Sequence, residues 1–167
     1  MPEVSLVVGV PSDCSTAVIE QCLNLICLGG AIPASRETVE PRIMRARVLA
    51  YVLIDGHIVG VAALKVPVQS YRDSISRKSG FSIADWKYPL ELGYLVVDKS
   101  ARGQKLSTRL VDAVLDAAGD SGLFATTSST AVHKILPRVG FVVRGNTYKS
   151  NDGDELTLYV RDNLSEC

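Results

Sequence analysis

The chain has 167 residues, 47% of them hydrophobic, which is the length of one domain with enough apolar material for one core. Lysine plus arginine number 18 and aspartate plus glutamate number 18, so the long-range field that draws a protein to nucleic acid or an anionic membrane is missing on average. No window approaches the roughly 18 uninterrupted apolar residues of a membrane span, and Met1-Pro2-Glu3 does not begin a leader; the expectation is one cytoplasmic domain over residues 1–167.

In chain order, Val4 to Val10 is rich in Val and Leu and stops at Pro11, as a buried first strand does. Ser12 or Ser15 can cap a helix from Thr16 to Leu28, where Val18, Cys22, Leu25 and Ile26 recur at helical spacing and Gly29-Gly30 gives a stop. Cys14, Cys22, Cys27 and Cys167 show no metal-ligand spacing and read as small core residues. Arg47 to Ile54 and Ile58 to Val66 are strands of a hairpin turned at Asp55-Gly56, a dipeptide that tolerates positive φ. From Pro67 to Pro89 the pattern is lost, which predicts a long connection of the kind that carries function or stays irregular.

Leu90 to Val97 restores a strand, followed by a helix whose Leu106, Leu110, Val114 and Ala117 share a face and which Gly119 to Gly122 ends. Leu123 to Thr127 is a short strand, Thr130 to Leu136 a short helix, Phe141 to Arg144 a strand and Glu155 to Val160 the last strand. A hairpin followed by a βαβ unit makes a mixed α/β order.

The stretch from Glu91 to Leu110 carries the functional argument. A strand feeds a turn at Gly103, and a helix starts at once. The first turn of a helix leaves about four N–H groups without partners and carries about half a positive charge, which suits a pyrophosphate. Arg102 and Lys105 add cationic charge at an end where cations oppose the dipole, an arrangement that makes sense for an anion site. On spacing alone a plain strand-to-helix corner, with Gly103 a turn residue and Lys105 solvated, is equally open.

At these residues the chain resembles the GNAT superfamily of acetyl-coenzyme A-dependent N-acetyltransferases. That signature is a strand ending in Val, a four-residue spacer, then Arg-Gly-x-Gly-x-Gly opening a long helix. Val97, Asp98 to Ala101 and Arg102-Gly103-Gln104-Lys105-Leu106-Ser107 stand in the same register. Gly140-Phe141 looks like the second hallmark, and the Asp55-Gly56 hairpin falls where the family has its second and third strands.

The resemblance implies a mostly antiparallel central sheet of about six to seven strands with one parallel, splayed pair, flanked by helices. It implies that amides from Arg102 to Ser107 hold the cofactor's pyrophosphate and that Leu95, Val96 and Val97 pair with the pantetheine arm. Lys105 and Ser107 replace two family glycines; a charge and a hydroxyl are what they offer instead. Ser129, counted with the cofactor residues, stands where an Asn is common. Leu136 stands where many members carry a proton-donating Tyr, and Pro137 should end or bend the short helix.

Acetyl transfer to an amine needs a base, donors for the thioester oxygen and a proton for sulfur. By the resemblance Glu91, at the start of the strand before the turn, is the leading base, with Tyr94 second as proton carrier or substrate wall. His57 reads as surface, and His133 lies on the short helix. Tyr71, Arg72, Trp86 and Tyr88 are expected to line the acceptor side, with loop anchoring the competing role for Trp86 and Tyr88. Two readings stay open, a transferase acting on a small-molecule or protein amine and a coenzyme A-holding sensor or interaction module. Even charge counts against nucleic acid. A homodimer is compatible with the pattern, although no residue marks its interface.

Overall fold

The hairpin of strands Val48–Ile54 (β2) and His57–Lys65 (β3) forms as its turn chemistry dictates, with Asp55 at φ 52° and Gly56 at φ 82°. Val4–Gly9 (β1) pairs antiparallel with β2 along its whole length. Residues 3–29, 35–150 and 152–166 are described by the computed structural model; Gly30 and Cys167 lie outside them.

The described residues divide into two units, one running to Lys65 and resuming at Leu92–Gly119, the other made of Val66–Glu91 and the residues from Asp120 onward. In the first unit, helix Thr16–Gly29 (α1) is capped by Ser15, whose Oγ accepts from Val18 N at 3.2 Å. It buries Ile19, Cys22, Leu23 and Ile26 against Leu49, Tyr51, Val61 and Ala63 of the sheet. Helix Arg36–Met44 (α2) has no counterpart in the sequence reading. Its polar composition and internal Pro41 hide it, yet Ser35 caps it and fully buried Val39 and Ile43 fix it to the same core.

Strand Leu90–Val97 (β4) leads to a 3₁₀ turn at Lys99–Ala101 and then helix Leu106–Ala118 (α4). Helix α4 buries Leu106, Leu110, Val111, Val114 and Ala118, so Ala118 takes the place expected of Ala117, which is exposed. It packs close to β3 because Gly60 has no side chain: a Cβ there would lie 3.0 Å from Leu110 Cδ1.

In the second unit, the expected long connection contains a helix, Gln69–Ser79 (α3), ended by Gly80 at φ 75°. Its exposed residues are Gln69, Ser70, Asp73, Arg77 and Lys78, and only Arg72, Ile75 and Ser79 are buried, too little apolar periodicity to announce a helix. Leu123–Thr127 (β5) follows, then Thr130–Ile135 (α5), which gives way at Leu136–Val139 to a 3₁₀ turn around Pro137. Strands Val142–Val143 (β6) and Tyr148–Lys149 (β7) are two residues each, and Glu155–Arg161 (β8) closes the sheet.

The sheet has eight strands in the order β1-β2-β3-β4-β5-β8-β6, with β7 on β8. The eighth strand beyond the expected six to seven is β7, two residues long and too short to leave a periodicity, whereas β6 falls within the strand expected over Phe141 to Arg144. A parallel pairing joins β4 to β5, and its register is two residues long, Leu90 to Leu123 and Glu91 to Phe124.

Candidate functional site

The turn after β4 is held from below and open above. Asp98 N continues the sheet by donating to Val59 O at 2.7 Å, and Ala101, 2% exposed, plugs the 3₁₀ turn. The Asp98 carboxyl is held below its usual value, first because Ser100 Oγ donates to it; desolvation opposes this, and the backbone amides of Lys99 and Ser100 and the charge of Arg102 add to the lowering. Arg102 Nε donates to Val97 O at 3.4 Å, which ties the cation to the end of the strand.

From there the backbone turns outward. Gly103 has φ 87°, and Lys105, directly before α4, has φ 59° and ψ 26°. The first helical bond runs from Arg109 N to Lys105 O, and among the described residues the amides of Gly103 through Thr108 meet no protein acceptor. Arg102, Gly103, Gln104 and Lys105 are exposed, and a Cβ on Gly103 would find nothing within 4 Å. No acidic side chain lies in the first turn of α4. Six unpartnered N–H groups, a positive helix end and two cations fit a diphosphate.

Four residues before Asp98, β4 is locally distorted. Tyr94 has φ 52°, a conformation that costs an aromatic residue roughly 1–3 kcal/mol and persists only where its surroundings hold it. Its neighbour Gly93 leaves room for the Lys65 stem, since a Cβ there would lie 2.6 Å from Lys65 Cδ, and Lys65 Nζ sits 4.4 Å from the centre of the Tyr94 ring. The ring packs on the core of the first unit, and the Tyr94 hydroxyl is buried without a hydrogen-bond partner among the described residues.

In the second unit Glu91 is 2% exposed, not solvated at a strand end. Tyr71 OH donates to its Oε2 at 2.8 Å. Burial, then the Glu91 charge and the hydrogen bond to it, pushes the Tyr71 phenol well up, while a hydrogen bond from Thr126 works the other way. Tyr148 is pushed up to about 12, mainly by burial with the Glu91 charge adding, and it too meets the Thr126 hydroxyl.

The other expected acceptor residues divide sharply. Arg72, 3% exposed, donates to the carbonyls of Ile83 (3.3 Å), Tyr88 (2.7 Å) and Pro89 (2.7 Å), and desolvation lowers its guanidinium despite the opposing charges of Asp85 and Glu91. Tyr88 is buried and donates to Asp162 Oδ1 at 2.6 Å. Arg72 therefore closes on the loop itself, and Tyr88 ties that loop to the residue after β8. Trp86, 79% exposed, is the aromatic side chain of that loop left open to solvent. Ser129 caps α5 by accepting from Val132 N, and His133 Nδ1 lies 2.7 Å from Tyr159 OH.

A family model described as the acetyltransferase (GNAT) family matches residues 33–141, more than half the chain. The chain belongs to the GNAT acetyltransferase family.

Solved GNAT structures share its fold at low identity. An acyl-CoA N-acyltransferase from Pseudomonas aeruginosa superposes with a TM-score of 0.72 at 17% identity, over 95% of this chain and 99% of that one. The ribosomal-protein-S18-alanine N-acetyltransferase of Escherichia coli gives 0.64 at 16%, over 95% and 94%. A GNAT acetyltransferase from Elizabethkingia anophelis with acetyl-CoA bound gives 0.60 at 13%, over 95% and 97%. No curated protein matches by sequence. GNAT members are acyltransferases that use acetyl-CoA, and the fold supports acyl transfer in general. No helix among the described residues is long and apolar enough to cross a membrane.

Within the GNAT frame, Lys105 keeps the left-handed backbone that a glycine would supply at its position, and Leu136 is fully buried where many members carry a tyrosine. Lys65 and Thr126 escaped the sequence reading. Neither lies in a motif, and each acquires its partner only when strands far apart in sequence are brought side by side.

Proposed function

We propose that the chain is an acetyl-CoA-dependent N-acetyltransferase that delivers an acetyl group to a primary amine by direct attack in a ternary complex. What supports this most is the row of six unpartnered amides from Gly103 to Thr108 at the head of α4. Those amides, with Arg102 and Lys105, would hold the diphosphate, and the Ser107 hydroxyl adds a donor. Backbone groups of Leu95, Val96 and Val97 would orient the pantetheine arm. Acetyl-CoA, when bound, supplies a thioester carbon for an amine to attack, with the thiolate as leaving group. Glu91 takes the proton from the amine, and Tyr94, whose buried hydroxyl has its donor capacity unused, carries a proton as the second candidate. Trp86 is exposed and available to meet the acceptor.

A coenzyme A-holding module without turnover is the second reading, favoured by Leu136 in place of the usual tyrosine. Calorimetry with acetyl-CoA, followed by thiol release over a panel of primary amines, tests both. Binding with amine-dependent thiol release is the expected result. Binding without release selects the second reading, and no binding removes both.

A further inference from the structure

We propose that Lys65 is a positioning residue for Tyr94: its ammonium group, set over the phenol ring, fixes the direction in which the hydroxyl points. This rests on the reading of Tyr94 as a proton carrier.

A buried tyrosine is ordinarily anchored twice, by packing of its ring and by a hydrogen bond at its hydroxyl. Tyr94 has the first anchor and lacks the second. Its ring packs on the apolar core of the first unit, while its hydroxyl is buried and meets no hydrogen-bond partner among the described residues. The single proton of that hydroxyl is thus committed to no protein acceptor, as a proton carrier requires. The same freedom leaves the polar tip unheld, so the orientation of the ring depends on what touches its face. Lys65 Nζ lies there, 4.4 Å from the ring centre, where the negative face of the π system attracts a cation.

The route of the lysine is built into the strands. Lys65 ends β3, Tyr94 lies in β4, and both belong to the first unit. The stem passes Gly93, at which a Cβ would lie 2.6 Å from Lys65 Cδ and 3.6 Å from Nζ. A larger residue at position 93 would therefore displace the lysine rather than the backbone, because the stem is the part that can move. Tyr94 itself is at φ 52°, a conformation that persists only where the surroundings hold it.

Lys65→Met keeps an apolar stem and removes the cation, Lys65→Arg keeps a cation, and Gly93→Ala keeps both partners while displacing the stem. These variants are compared with Tyr94→Phe and with K65M/Y94F. The readouts are kcat and KM for thiol release with the primary amine that reacts best in the panel and, in the free protein, the ¹³Cε resonance of the Tyr94 ring, assigned by its absence in Y94F. In K65M kcat falls about tenfold while KM for amine and for acetyl-CoA stays within about twofold, G93A moves the same way, and K65R recovers most of the loss. The Tyr94 resonance shifts in K65M and returns in K65R. Y94F lowers kcat about a hundredfold, and adding K65M to it costs less than about a further twofold, as for two residues that act as one unit. A K65M variant that keeps wild-type kcat, or that loses the same factor with and without the Tyr94 hydroxyl, overturns the inference. The two claims fail separately: wild-type kcat in Y94F removes Tyr94 as proton carrier and the inference with it, whereas a loss in Y94F with none in K65M removes only the role of Lys65.

Discussion

Lys105 combines two properties that substitution can separate. Its backbone is left-handed, at φ 59° and ψ 26°, and its side chain is exposed beside the open amides of α4. Lys105→Ala removes the charge and keeps the backbone cost; Lys105→Gly removes both. A left-handed residue other than glycine costs about 1.5 kcal/mol, and the extra freedom of glycine in the unfolded chain returns about 0.7 kcal/mol of that. The net gain of about 0.8 kcal/mol for K105G over K105A corresponds to a Tm higher by about 2–3 °C in a chain of this size.

Affinity follows the other property. Both variants should bind coenzyme A about fivefold more weakly than wild type at low salt, the scale of one exposed charge pair, and the gap should close near 1 M salt, where screening acts over about 3 Å. Differential scanning fluorimetry and calorimetry at two ionic strengths measure the two effects. Equal melting of K105A and K105G would refute the backbone argument. Wild-type affinity in K105A at low salt would refute the electrostatic one.

Three further outcomes follow from the packing. A Cβ on Gly122 would lie 2.0 Å from Lys87 O, and backbone cannot swing aside as a side chain can, so Gly122→Ala should cost about 3 kcal/mol and lower Tm by about 6–12 °C; a change under 2 °C would contradict that contact. Arg72→Met strips the donor from three carbonyls and a countercharge from the surroundings of Glu91, an expected loss of about 3–5 kcal/mol by urea denaturation, with early proteolysis between Ile83 and Pro89. Cys22 and Tyr148, each pushed up to about 12 chiefly by burial, and Tyr71, also raised chiefly by burial, bind their protons more tightly folded than unfolded. Their contribution to stability is therefore whole below about pH 9 for the thiol and 10 for the phenols and is lost as pH rises toward 12. Urea midpoints from pH 8 to 11.5 should fall across that window, and less steeply in Y148F.

The distortion of β4 lies shortly before the turn that leads into α4. A strand in regular alternation would leave Gly93, Tyr94 and Leu95 on alternating faces, whereas here all three are half-buried in succession. The positive φ of Tyr94 falls at the middle of these three, beside the glycine against which the Lys65 stem packs.

Much of this was legible in the residues themselves. Asp55-Gly56 specified its hairpin because few other dipeptides accept two positive φ angles, and the apolar rows of α1 and α4 announced helices because period and composition agree there. Val97 to Ser107 disclosed a strand end, a turn and a helix start with open amides, since that geometry is mainly a matter of backbone, which a strand, a glycine and a helix start are enough to define. The helices α2 and α3 were hidden: the first contains Pro41, the second is polar on nearly every face, and both are held by a few residues that only their neighbours make necessary. The same holds for side-chain roles. Arg72 and Tyr71 are adjacent in sequence and look alike as loop residues, yet one closes on three carbonyls and the other reaches Glu91. Local sequence sets what a backbone segment prefers, while the partner of a buried polar group is set by which distant strands lie beside it, and that is decided only when the chain has folded.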